Sequence, residues 1–414
     1  MPEEQSGEYY DYTKSMKPER PWLVPYHQSL VYKTMNANKD AAGNLKDVHL
    51  TFEQTLEVIE RFHNMTLGMP QVVYVTGWQF NGHDSKYPSW AEVNAALKRD
   101  EDETAEDSLR WLIRQARKRF DCRVSLHLNM MDAYPESPLW DEYLEKDVVA
   151  KDKEGKPIPT REWSGMMAYA LSYTQEWKLG LAQKRIDDLL KMLPELIYSG
   201  TIHIDAFLGA RQADQKGPIS PYLGYSKEQE AQTMRKIYRF WRDRGIDVTS
   251  EWAYGLRDDR FVGLQPWCWH QEDKIADLPD DLYCSTKFVG SDMWLIEDRL
   301  NPPHARQKFY LEVMPWYYKN SGKAPGEQQA MIDGTDICMP ALWCADKTMI
   351  AYSQYGCDSK TWKVPRDWQG ITHVNIERIT YEGLEPVGEA KITDGTITFS
   401  IDTDEALRLT PASG

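Results

Sequence analysis

Two carboxylates stand out for their setting. Asp205 closes the run Ile202-His203-Ile204-Asp205, and Glu251 closes Val248-Thr249-Ser250-Glu251, 46 positions later. The first stretch alternates aliphatic and polar residues, the period of a β-strand, and the second does so more weakly. One amphipathic helical segment separates them, so the two carboxylates are expected at the ends of consecutive parallel strands, facing one cavity. A carboxylate without a partner in such apolar surroundings costs several kcal/mol. It is kept either for chemistry or for a salt-bridge network with Arg or Lys. The chemistry that a pair of this kind serves is glycosyl transfer to water, one carboxylate acting as nucleophile and the other as acid and then base.

Further polar groups fall beside them. Val124-Ser125-Leu126-His127-Leu128-Asn129 alternates in the same way and places His127 and Asn129 on one face, and His203 lies two residues before Asp205. Gly82-His83-Asp84-Ser85 follows the apolar run 72–80, at the rim after that strand. His83, Asp84, His127, His203 and Asp205 could instead converge as ligands of a Zn²⁺ hydrolase site. Against this stands the lack of an H-x-H pair or a further late His-Asp pair. A barrel that binds carbohydrate without cleaving it is a third possibility. Trp252, Trp267 and Trp269 are placed to stack on sugar rings or to pack beneath loops.

The elements that must position these groups are legible. Thr51 with Gln54, Thr104 with Asp107 and Ser226 with Gln229 form capping boxes, each ahead of apolar residues at helical spacing. Strands alternating with helices imply a parallel sheet covered by helices. An open doubly wound sheet is buried on both faces and reads as continuous apolar runs. Here one face carries ionisable groups, which a (β/α)8 TIM-type barrel accommodates at the carboxyl ends of its strands. The barrel is expected over residues 1–363. From 364 to 414 the pattern changes to short β-type runs with Asp394-Gly395 as a hairpin turn, a small C-terminal antiparallel β domain. The Gly- and Pro-rich stretch 208–225 is expected to wall the site.

Composition narrows the partners. The 414 residues carry 49 Lys+Arg against 64 Asp+Glu, a net charge of −15, which disfavours nucleic acid and anionic membrane. No apolar run reaches the ~18–20 residues of a membrane span. MPEEQSGEYY lacks the basic start and apolar core of a signal peptide, so a cytoplasmic location is expected, or a secreted or cell-surface one if the sequence is part of a longer chain. The six cysteines show no C-x-x-C spacing and are expected mostly as buried thiols. Oligomeric state is not encoded in any of these features.

The segments GWQFNGHDSKYP (77–88), SLHLNMMDAYPES (125–137), HIDAF (203–207) and SEWAYG (250–255) resemble, in order and spacing, the barrel of glycoside hydrolase family 101, the endo-α-N-acetylgalactosaminidases, and the related family 129. The resemblance covers about residues 70–270. It implies a retaining α-glycosidase acting on α-linked N-acetylgalactosamine in mucin-type O-glycans, a glycan or glycopeptide substrate, Asp205 as nucleophile and Glu251 as acid/base. It implies His83, Asp84 and Asn129 as contacts to sugar hydroxyls, and Trp163, in REWSG, as the counterpart of a Trp-rich gate with one Trp missing. The preceding β-sandwich of those families is absent from this sequence, and the loop 208–225 is longer. Endo and exo action are both compatible with these features. No cofactor is required by the chemistry, and a structural Ca²⁺ is compatible with it.

Overall fold

The computed structural model describes residues 23–205, 218–250, 264–266, 295–300, 304–320 and 331–412. The chain divides into two compact units, Met1–Tyr26 with Val31–Leu56 and Val72–Arg299, and His27–Leu30 with Glu57–Gln71 and Leu300–Gly414.

The first unit is built on a seven-stranded sheet. Its strands are β1 (Leu30–Met35), β2 (Gln71–Thr76), β3 (Cys122–Asn129), β4 (Thr201–Asp205), β5 (Asp247–Ser250), β6 (Leu264–Pro266) and β7 (Leu295–Ile296). They lie in the order β6-β5-β4-β3-β2-β1-β7, so the last strand sits beside the first. The pairs β1–β7, β3–β4, β4–β5 and β5–β6 are parallel.

The helices start where their hydroxyl residues predict. Thr51 and Gln54 exchange side-chain to backbone hydrogen bonds ahead of α1 (Phe52–Met65). Full capping boxes open α2 (Ala105–Phe120) at Thr104/Asp107 and α5 (Lys227–Arg242) at Ser226/Gln229. The helices between them include α3 (Tyr173–Lys178) and α4 (Leu181–Met192). Each box supplies acceptors to backbone N–H groups that a helix start leaves unpaired, a contribution of about 1 kcal/mol. α2 buries Leu109, Leu112, Ile113, Ala116 and Phe120 and packs on β3, while α5 buries Met234, Ile237 and Trp241 and packs on β5. Each large apolar side chain so buried stabilises the unit by about 1.5–3 kcal/mol.

On the opposite face of the sheet the polar positions fall into layers. Tyr74 and Tyr26 each hydrogen-bond the Thr201 hydroxyl, at 2.6 and 2.7 Å, and the Ser125 hydroxyl donates to the Thr201 carbonyl. One layer further along, His127 is in register with His203, and His203 with Thr249; beyond them Asn129 is opposite Asp205. Aligned residues of neighbouring parallel strands project to the same side, so the alternation in three separate segments becomes one polar surface.

The second unit carries an eight-stranded antiparallel sheet: β8 (Ile332–Asp333), β9 (Asp336–Pro340), β10 (Met349–Ser353), β11 (Cys357–Lys363), β12 (His373–Ile379), β13 (Leu384–Thr393), β14 (Thr396–Ile401) and β15 (Glu405–Pro411). The order is β8-β9-β10-β15-β12-β13-β14-β11, and Met349, Ala351, Trp362, Val374, Ile397 and Leu407 are among its core residues. Asp394 and Gly395 both have positive φ, 50° and 73°, as a two-residue turn matched to the strand twist requires. The sheet takes in strands on both sides of residue 364, because β8 to β11 precede it. β10 is buried along its whole length and so shows none of the two-residue alternation that marks β14. Among the described cysteines, Cys122 and Cys338 are buried and Cys344 and Cys357 half-buried, all as free thiols.

Candidate active site

Five of the polar residues singled out in the sequence converge at the carboxyl ends of β2, β3 and β4. A row of rings runs across the strands: Tyr74 to His203 (5.3 Å between centroids), His203 to His127 (5.4 Å) and His127 to His83 (5.3 Å). His203 Nδ1 is 2.9 Å from the Thr249 hydroxyl. His127 Nε2 lies 3.5 Å from Asp205 Oδ2, and His83 Nε2 lies 3.5 Å from Asp84 Oδ1. His83, His127 and Asp205 present donor atoms that all lie within 4.8 Å of one another.

His83 and Asp84 are carried by the loop that follows β2, and two glycines set its path. A Cβ on Gly77, at φ +77°, would stand 2.1 Å from the Ala37 carbonyl oxygen; one on Gly82, at φ +120°, would stand 2.7 Å from the same atom. The loop backbone therefore lies directly on Ala37, to whose carbonyl the His83 N–H donates at 2.8 Å. Trp78 Nε1 donates to the His127 carbonyl at 3.0 Å, which ties the loop to the end of β3. Asp84 is buried and adopts the left-handed region, φ 59°.

Two buried tyrosines complete the surroundings. The Tyr134 N–H donates to the Tyr87 carbonyl at 2.9 Å, which joins the loop after β2 to the loop after β3. Burial pushes the Tyr87 phenol far above its ordinary range, and the Asp84 and Asp205 charges push it further. Burial does the same for Tyr134, with Asp84 and Asp132 adding to it. Both phenols therefore keep their protons at neutral pH. The Lys39 ammonium lies over the Tyr134 ring at 5.0 Å. Burial lowers its pKa, while Glu136 and Asp84 oppose the shift.

The remaining sequence candidates are placed differently. Asn129 is buried and its amide is committed locally: Oδ1 accepts from the Met131 and Asp132 N–H groups at 2.8 and 2.9 Å, and Nδ2 donates to Asp132 Oδ2 at 2.8 Å. It shapes the turn after β3 and orients Asp132. Trp163 is 40% exposed on the strand Pro159–Trp163, with the Arg161 guanidinium 5.2 Å from its ring. No described contact joins it to the histidine row. Glu251, Trp252, Trp267 and Trp269 lie outside the described residues, as does most of the loop 208–225. Ser250, the residue before Glu251, pairs with Ile204, the residue before Asp205. Tyr87, Tyr134, Asp132 and Lys39 were not recognised from the sequence. The first three stand inside the motifs at 77–88 and 125–137, next to the residues that were.

No curated protein matches the chain in sequence. Among solved structures, the α-N-acetylgalactosaminidase NagBb of Bifidobacterium bifidum, free of ligand, is similar at 14% identity and a TM-score of 0.46, over 60% of this chain and 39% of that one. The chain thus spans about two fifths of NagBb's length. The α-galactosidase TtGalA of Thermus thermophilus is similar at 14% identity and a TM-score of 0.40, over 69% and 53%. The GH36 α-galactosidase AgaA of Geobacillus stearothermophilus is similar at 11% identity and a TM-score of 0.44, over 95% and 57%. Residues 34–274, more than half of the chain and the whole of the parallel sheet between the end of β1 and β6, match the family described as endo-alpha-N-acetylgalactosaminidase. With that match, this chain belongs to glycoside hydrolase family 101.

Proposed function

We propose that the protein is a retaining α-glycosidase that releases α-linked N-acetylgalactosamine, alone or as part of a disaccharide, from mucin-type O-glycans or glycopeptides. The observation that carries this is Asp205 at the carboxyl end of β4, its carboxylate 3.5 Å from His127 and backed by buried, protonated phenols. Asp205 attacks the anomeric carbon while Glu251 protonates the departing Ser or Thr oxygen. Glu251 then takes a proton from water, and the water oxygen displaces Asp205 from the sugar. The two carboxylates and water suffice for this sequence, with no cofactor. His127 holds the Asp205 carboxylate in place, and His83 and Asp84 are directed to sugar hydroxyls. Asn129 acts through Asp132 and the turn it shapes. Trp163, Trp252, Trp267, Trp269 and His203 are assigned to substrate binding on the sequence reading alone. The last strand lying beside the first supports closure of the sheet as a (β/α)8 barrel.

Para-nitrophenyl α-GalNAc and the para-nitrophenyl core-1 disaccharide, offered side by side, test the proposal. Turnover of the first marks exo action and of the second endo action; turnover of neither overturns it. A metal-dependent hydrolase is the alternative favoured by the convergence of His83, His127 and Asp205. Loss of turnover on phenanthroline treatment, restored by Zn²⁺, would establish it instead.

A further inference from the structure

We propose that His83, His127 and Asp205 form a zinc site that competes with the glycan, so that Zn²⁺ is a reversible inhibitor of this enzyme. The inference rests on Asp205 being the nucleophile. The three residues offer two imidazole nitrogens and one carboxylate oxygen within 4.8 Å of one another. Zinc takes this donor set in tetrahedral geometry at about 2.0–2.2 Å, which puts neighbouring donors roughly 3.3 Å apart. His127 Nε2 and Asp205 Oδ2 already stand 3.5 Å apart. Any remaining closure falls to His83, whose side chain is partly exposed on its loop whereas that of His127 is buried. Two imidazoles and one carboxylate are too few oxygens for Ca²⁺ and the wrong donors for Mg²⁺.

Three protein ligands leave the fourth position of the ion for water. That arrangement matters for the glycosidase because a zinc ion on the Asp205 carboxylate neutralises the charge that makes it a nucleophile and occupies the space beside it that the anomeric carbon must enter. Metal and sugar are therefore mutually exclusive. Zinc raises the apparent KM without lowering kcat, as a competitive ligand does.

The test uses the full chain, stripped with chelator and desalted, titrated with Zn²⁺ by calorimetry and with Co²⁺ by its visible absorption. One ion per chain is expected, with His83→Gln weakening zinc binding at least about tenfold. His127→Gln, judged by circular dichroism to be folded, provides the second variant. Zinc bound equally by wild type and both variants, or displaced by millimolar Ca²⁺, overturns the site. Zinc bound through both histidines that leaves the KM for para-nitrophenyl α-GalNAc unchanged overturns the competition. If the metal-free protein turns over no galactosaminide at all while the histidine-dependent binding persists, the functional assignment fails and the metal site stands.

Discussion

Gly82→Ala is the sharpest test of how the loop after β2 builds the site. The added Cβ would stand 2.7 Å from the Ala37 carbonyl oxygen and 2.8 Å from the carbonyl carbons of Ala37 and Asn38. These are backbone atoms of the strand Ala37–Lys39, so the clash is not relieved by a rotamer change. Restoring ordinary contact at 3.4 Å requires a displacement of about 0.7 Å. The φ of +120° adds strain of about 1–3 kcal/mol for any residue with a Cβ. Gly82 is the residue before His83, whose N–H bond to Ala37 is the loop's anchor. The displacement is therefore passed to His83 and Asp84 rather than dissipated. A misplacement of about 1 Å in a positioning group costs on the order of 10²-fold in rate. The expected result is a fall in kcat/KM of roughly 30- to 100-fold on para-nitrophenyl α-GalNAc, with unfolding free energy lowered by about 1–3 kcal/mol in urea. A Gly82→Ala enzyme with wild-type kcat/KM would refute the claim that this contact positions His83 and Asp84.

Asp205→Ala should abolish turnover of every substrate, whereas Glu251→Ala should retain activity on aryl glycosides whose leaving group needs no proton; equal losses on the aryl substrate would break the division of roles. Proton NMR of the first-formed sugar should show the α anomer, and initial appearance of the β anomer would exclude double displacement. Glu176, fully buried, accepts a hydrogen bond from Arg185 Nη2 at 3.0 Å and one from the Tyr143 hydroxyl at 2.9 Å, and forms an ion pair with Arg185 Nε at 2.7 Å. Glu176→Leu strands a buried guanidinium and should cost about 3–5 kcal/mol by urea denaturation, and a loss under about 1 kcal/mol would contradict that. Burial raises the Glu230 pKa, although the Ser172 hydroxyl and the Thr174 N–H donate to its carboxylate and oppose the shift. The folded state then binds the proton more tightly than the unfolded one. Its contribution is complete below the unfolded carboxyl pKa and is lost as pH rises through the folded value. The melting temperature of Glu230→Gln relative to wild type should therefore climb as pH rises above the unfolded carboxyl pKa of about 4.3, and a constant difference would refute the assignment.

What the amino-acid sequence determined by itself was local. The capping boxes at Thr51, Thr104 and Ser226 involve groups three residues apart, so residue types and spacing suffice to place the helix starts. The alternation through His127, His203 and Thr249 needs only the two-residue period of a strand, and the register confirms that these side chains share a face. Long-range closure decided the rest. By alternation Asn129 and His127 are equivalent, yet the turn after β3 brings the Met131 and Asp132 N–H groups onto the Asn129 amide and leaves His127 beside Asp205. Tyr87 and Tyr134 read as ordinary core aromatics until the hydrogen bond between their backbones sets both phenols among Asp84, Asp132 and Asp205. β10 carries no period at all, because it is buried on both faces and only its pairing with β9 and β15 makes it a strand. Periodicity reports which way a side chain points within one element. Which partner it meets there is set by contacts between residues tens of positions apart, and only folding brings those together.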